Sequence, residues 1–78
     1  MKNAKLKVAD QEEVRQKYEK LLVGNSLLFG RTLVQVHGKV IRVIRRDGRL
    51  SVITDDINPS RINVEIENAM ITKVIDLS

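Results

Sequence analysis

Apolar positions recur along this chain with two different periods, and the change of period divides it. In the stretch "DQEEVRQKYEKLLVG", Val14, Tyr18, Leu21 and Leu22 fall at helical spacing. Asp10 suits a cap, Glu12 and Glu13 suit a first turn, and Lys17 and Lys20 suit a last one, so a helix is predicted from Asp10 to a stop at Gly24. Residues 1–8 carry no such pattern and are expected to form a mobile tail. The next stretch, "NSLLFGRTLVQVHG", fits two templates. Phe29, Leu33 and Val36 step by four and three behind a capping Asn25 or Ser26, whereas "RTLVQV" alternates like a strand. Gly30 disfavours the helix by about 1 kcal/mol relative to alanine, and the pattern leaves the choice open.

Beyond Gly38 the period is two. "VIRVI" reads as a central strand with apolar residues on both faces, and "RRDGR" carries Asp-Gly turn chemistry. "RINVEI" alternates cleanly, with Ile62, Val64 and Ile66 on one face and Arg61, Asn63 and Glu65 on the other. "ENA" then makes a turn into "MITKVIDL", a last strand expected at the sheet edge.

Length and composition narrow the classes. A chain of 78 residues is expected to form one domain with one modest core. Cysteine is absent, which excludes a disulfide framework and thiolate metal sites and favours a cytoplasmic location as an expectation. The chain shows neither a signal-peptide pattern nor an apolar run of membrane-spanning length, so no membrane partner is expected. The net charge of +4 is uneven: Arg31, Lys39, Arg42, Arg45, Arg46 and Arg49 face only Asp47 in the middle, while acidic residues dominate after Ser51. A basic middle could meet nucleic acid, but Tyr18 and Phe29 are the only aromatic residues, too few for a base-stacking platform, so nucleic acid is the least favoured partner.

Catalytic chemistry finds little footing. His37 is the single histidine and is read as a loop or helix-end residue. Asp55 and Asp56 are neighbours in an extended stretch, so their side chains diverge and chelate one ion poorly. No phosphate loop, dinucleotide fingerprint or zinc spacing occurs, and an enzyme, a metal site or a cofactor is not expected. What stands out is "ITDDINPSRINVEI". Pro59 cannot donate a ladder hydrogen bond and biases Asn58 toward extended geometry, so the chain is expected to enter the sheet only at Arg61. Arg61 and Asn63 then lie beneath the preceding loop and can hold it by hydrogen bonds to its carbonyls or to an aspartate.

These residues resemble the potato inhibitor I family of serine protease inhibitors, closest to its small bacterial and fungal branch. The run "GKVIRVIRRDGRLSVITDDINPSRINVEIENAMITKV" carries the likeness, with "ITDD" at the loop positions, "NPSRINV" at the support and "LLVG" ahead of the helix. It covers about Leu21 to Val74, so residues 1–20 count as an added tail and helix and residues 21–78 as the domain. The resemblance implies an α+β fold in which one main helix packs on a small mixed β-sheet. An extended reactive loop joins two strands, an N-terminal helical extension is added, and residues 25–36 are helical. It implies a binding loop of Ile53, Thr54, Asp55, Asp56 and Ile57 within residues 52–58, Asp55 entering the protease's primary pocket and Asp56 following the scissile bond. Asn58, Pro59, Arg61 and Asn63 take the support positions, with Asn63 standing where plant and leech members often have arginine. Asn58 replaces a common arginine, and the family's tryptophan near the helix start is missing. An aspartate suits a basic pocket better than an apolar one, which leaves two readings: a target serine protease that prefers acidic residues, or a chain that inhibits common proteases weakly or not at all. The alternative is a non-inhibitory interaction module of the same fold, such as a homo-oligomer joined through the N-terminal helix.

Overall fold

A computed structural model describes residues 3–78 of the chain; of the expected tail, Met1 and Lys2 lie outside them. Helices α1 (Asn3–Leu22) and α2 (Leu27–Gln35) precede four strands, β1 (Val40–Arg46), β2 (Arg49–Leu50), β3 (Arg61–Glu67) and β4 (Met70–Leu77). The strands form one mixed sheet in the order β2-β1-β3-β4, with β1 and β3 parallel and the two outer pairs antiparallel. The architecture is a small α+β fold.

α1 starts at Asn3, ahead of the predicted cap, and Asp10 lies inside it. Residues 3–8, expected as tail, are helical. The helix ends where the glycine signal placed its stop. Gly24 adopts φ +94°, a left-handed value that costs other residues strain, and its N–H donates to the Ile71 carbonyl at 2.9 Å. Tyr18 and Leu22 are buried in the main core, so α1 runs unbroken across residue 20 into the sheet. Arg15 ties the same helix to β4, donating to the Val74 carbonyl at 3.0 Å while pairing with Glu12 and Glu19.

The segment that the pattern left open is helical. Ser26 caps α2, its hydroxyl accepting from the Phe29 N–H at 3.1 Å. Gly30 is buried on the sheet side of α2, where a Cβ would lie 2.7 Å from Ile71 Cδ1 and 3.2 Å from Leu22 Cδ2. The missing side chain therefore lets α2 approach the sheet, which offsets the glycine's poor helix propensity.

Both tight turns belong to the hairpin class with two left-handed central residues. Asp47 and Gly48 join β1 to β2, and Asn68 and Ala69 join β3 to β4. The turns touch each other: Asp47 Oδ1 accepts from the Asn68 N–H at 2.8 Å. Ile62, Val64 and Ile66 of β3 are buried with Ile41, Val34, Ile71 and Val74, as the alternation predicts. Each buried aliphatic side chain contributes about 1.5–3 kcal/mol of hydrophobic stabilisation. β4 forms the sheet edge, and Asn25 and Gly24 cap its first residues through Ile71. No helix among the described residues is long and apolar enough to cross a membrane.

Candidate functional site

The site begins where β2 stops pairing. Ser51 makes one more ladder bond, N–H to the Ile44 carbonyl at 2.9 Å, and the chain then runs without regular structure to Ser60. β2 runs opposite to β1, and β3 starts beside Val40, so this segment returns along the sheet to the level of the first β1 residues. Residues 51–57 are all exposed. Val52 is 102% and Ile57 85% exposed, and Ile53 stands between them at 47%, so three apolar side chains face solvent around the acidic pair. Their exposure adds nothing to the buried core.

Side chains from the sheet hold this segment. Arg61, at the start of β3, donates from Nη2 to the Asp56 carbonyl at 3.3 Å and to its carboxylate at 3.2 Å. Its Nε donates to the Ser78 carbonyl at 2.9 Å, which anchors the guanidinium from behind. The Arg61 side chain is only 14% exposed while Asp56 is 57% exposed, so the cation lies beneath and the carboxylate above. The Thr54 hydroxyl donates to the Asp56 carboxylate. That bond first, and Arg61 second, hold the Asp56 carboxyl down to about 2 from its ordinary 3.8.

A second arginine enters from β1. Arg42 Nη1 donates to the Thr54 hydroxyl at 3.3 Å and lies 3.5 Å from the Thr54 carbonyl, while its Nε donates to Asn63 Oδ1 at 2.8 Å. Asn63 is buried, 3% exposed, and its amide donates to Asp76 at 2.7 Å and to the Ser78 hydroxyl at 3.1 Å. Arg42, Asn63 and Asp76 are register partners across β1, β3 and β4, so they form one polar row across the sheet. No buried side-chain polar atom among the described residues lacks a partner.

The predicted site residues thus differ in how the sheet holds them. Thr54 and Asp56 are tied to the sheet by Arg42 and Arg61. Asp55, between them, is exposed and has no hydrogen-bond partner among the described residues. Asn58 and Pro59 do not reach the loop's centre. Asn58 Oδ1 accepts from the Ser60 N–H at 2.9 Å and its carbonyl from the Arg61 N–H at 2.9 Å, a turn that delivers the chain into β3. Asn63 reaches the loop through Arg42 rather than directly. Sequence reasoning counted Arg42 among the basic residues of a charged middle and overlooked its tether, along with Asp76 and Ser78. The available signal was a lone charge inside the apolar run "VIRVI". Of the other basic residues, Arg45 lies 3.6 Å from Glu65 and donates to the Gly48 carbonyl, so it too is partly committed inside the protein. His37 follows the end of α2, and its ring and that of Tyr18 meet in a T-shaped pair with centroids 5.8 Å apart.

A cleft of about 560 Å³ lies beside α1, lined in part by Val14, Arg15, Lys39, Pro59, Ile75 and Leu77. It does not open on Thr54–Asp56. Comparison with family models, curated proteins and solved structures gives no match, so the functional reading rests on this geometry and on the sequence.

Proposed function

We propose that this chain is a serine protease inhibitor that offers residues 52–58 to the enzyme in a substrate-like manner, with Asp55 as the residue that enters the primary specificity pocket. The observation that carries the reading is the treatment of the Asp55 neighbours. Thr54 and Asp56 are each held from beneath by an arginine, and the side chain between them is left free. A serine protease takes its substrate as an extended chain, with the residue before the scissile bond in a pocket and the carbonyl in an oxyanion hole. Ordering a flexible chain costs roughly 1–2 kcal/mol per residue. A loop already held in shape avoids much of that cost and binds correspondingly tightly. The likeness to the potato inhibitor I family points the same way, and the exposed Val52, Ile53 and Ile57 supply apolar contacts on both sides of the bond.

The target is a protease with a cationic primary pocket. An unpaired carboxylate placed in an apolar pocket costs several kcal/mol, which an arginine or histidine in the pocket would offset. A panel that pairs an acid-specific serine protease with subtilisin and chymotrypsin tests this, with mass spectrometry to locate any cut. The expected result is tight inhibition of the acid-specific enzyme and slow cleavage confined to Asp55–Asp56. Arg61→Ala should convert the loop from an inhibitor into a substrate, raising loop cleavage by about tenfold or more for the loss of charge-assisted hydrogen bonds. Inhibition and cleavage unchanged in Arg61→Ala would overturn the reading.

One observation favours a second reading, an interaction module of the same fold. Leu28 and Phe29 of α2 and Val36, its C-cap, are exposed at 78%, 51% and 83%. Sedimentation at micromolar concentration tests it, a dimer lost on Phe29→Ser being the supporting outcome and a monomer the opposing one.

A further inference from the structure

We propose that Arg42 is the positioning residue for the N-terminal side of the Asp55–Asp56 bond, so that the two sides of that bond are held by arginines on two different, hydrogen-bonded strands. The consequence for inhibition rests on the proposed function; the positioning itself does not.

The geometry begins behind Arg42. Asn63 is buried, and its amide nitrogen is taken by Asp76 at 2.7 Å and by the Ser78 hydroxyl at 3.1 Å. Those acceptors fix which way the amide faces, so its oxygen is turned toward β1, where Arg42 Nε meets it at 2.8 Å. A guanidinium is planar, so holding Nε aims the rest of the fork. Nη1 then reaches the Thr54 hydroxyl and approaches its carbonyl. On the other side of the bond, Arg61 holds Asp56. The Thr54 hydroxyl accepts from Arg42 and donates to Asp56, which links the two arginines across Asp55.

Cutting the Asp55–Asp56 amide would consume one water and leave a carboxyl on Asp55 and an amine on Asp56. The carboxyl end would stay beside β1 through Arg42 and the amine end beside β3 through Arg61. β1 and β3 are parallel partners, with Val40 beside Arg61 and Arg42 beside Asn63, so the strand ladder fixes the separation of the two arginines that hold the ends. Before water acts, the enzyme's serine hydroxyl displaces the Asp56 amine and forms an ester on Asp55; religation is attack of that amine on the ester carbon with the serine hydroxyl leaving, and hydrolysis is the competing attack of water that gives the carboxyl. Arg42 therefore acts on the ratio of religation to hydrolysis.

The test uses Arg42→Met, which keeps an apolar stem and removes every donor, and Arg42→Lys, which keeps one charge without the fork. Two quantities are read on the full chain. The first is the rate at which thermolysin cuts within residues 52–57, set against amide exchange of the β3 core. Arg42→Met should be cut about tenfold faster than the change in β3 exchange accounts for, because β3 exchange reads the lost bond to Asn63 and the excess reads the lost bond to Thr54. Arg42→Lys should recover part of that protection. The second is the rate of Asp55–Asp56 hydrolysis during inhibition of a responsive protease, which Arg42→Met should raise more than it slows association. A wild-type cutting rate in Arg42→Met would overturn the proposal. A wild-type protein that inhibits no protease would overturn the inhibitor reading instead, and the thermolysin comparison would still decide the role of Arg42.

Discussion

Replacing Asn63 by alanine removes the point at which both halves of the loop support meet. The bond accepted from Arg42 disappears, with the two amide N–H donors that serve Asp76, the Ser78 carbonyl and the Ser78 hydroxyl between them. The bonds to Arg42 and Asp76 are charge-assisted and would each contribute about 1.5–3 kcal/mol if their partners had no other recourse. They have some. Arg42 is half-buried and Asp76 exposed, so water can replace part of what is lost. A net loss of about 2–3 kcal/mol follows, close to one full charge-assisted bond plus the small void left by the amide. For a domain of this size that lowers the thermal midpoint by about 10–20 °C. Urea denaturation with an unchanged slope is the assay. A loss below about 0.5 kcal/mol would show that solvent substitutes fully for Asn63 and would refute the reasoning. Asn63→Asp sharpens the test. It sets a carboxylate oxygen where a donor now lies 2.7 Å from Asp76, and two carboxylates so close must share a proton. The folded pair then has an upper pKa above its unfolded value. Its contribution is present at low pH and lost as pH rises through that upper pKa, so the deficit against wild type should be larger at neutral pH than in mild acid.

Two further outcomes are expected. Asp56 has a folded pKa of about 2 against an ordinary 3.8, so the order it gives the loop is complete above the ordinary value and lost as pH falls toward 2; a carboxyl-carbon NMR titration should find Asp56 titrating well below the ordinary aspartate value, and Arg61→Ala should move it upward. Leu22→Ala should cost about 2–5 kcal/mol, because Leu22 is fully buried between α1 and the sheet; a change under about 1 kcal/mol in chemical denaturation would mean that the end of α1 is not part of the core.

Local signals carried much of the fold. The alternation of β3, the Asp47-Gly48 reversal and the stop at Gly24 are read from neighbours in the chain because each depends on backbone preferences or on one repeating face. The beginning of α1 was misplaced because Asp10 carries cap chemistry in a position that turned out to be interior. A cap residue is a preference, and a longer helix overrides it. α2 could not be decided from its own residues. Gly30 counts against a helix locally, and its reason is nonlocal: the space a side chain would need is filled by Ile71 and Leu22.

The loop divides in the same way. The sequence by itself determined that a polar, extended segment precedes a strand whose outward face offers Arg61 and Asn63, since strand alternation and the proline fix both. Only the tertiary structure decided what those side chains hold. Arg42 lies 21 positions before Asn63 and 12 before Thr54, and no periodicity connects them. They meet because β1 and β3 pair in parallel register and the chain from β2 returns along the sheet between them in sequence. A row of side chains across a sheet is a property of strand register, and register is settled only when the strands assemble.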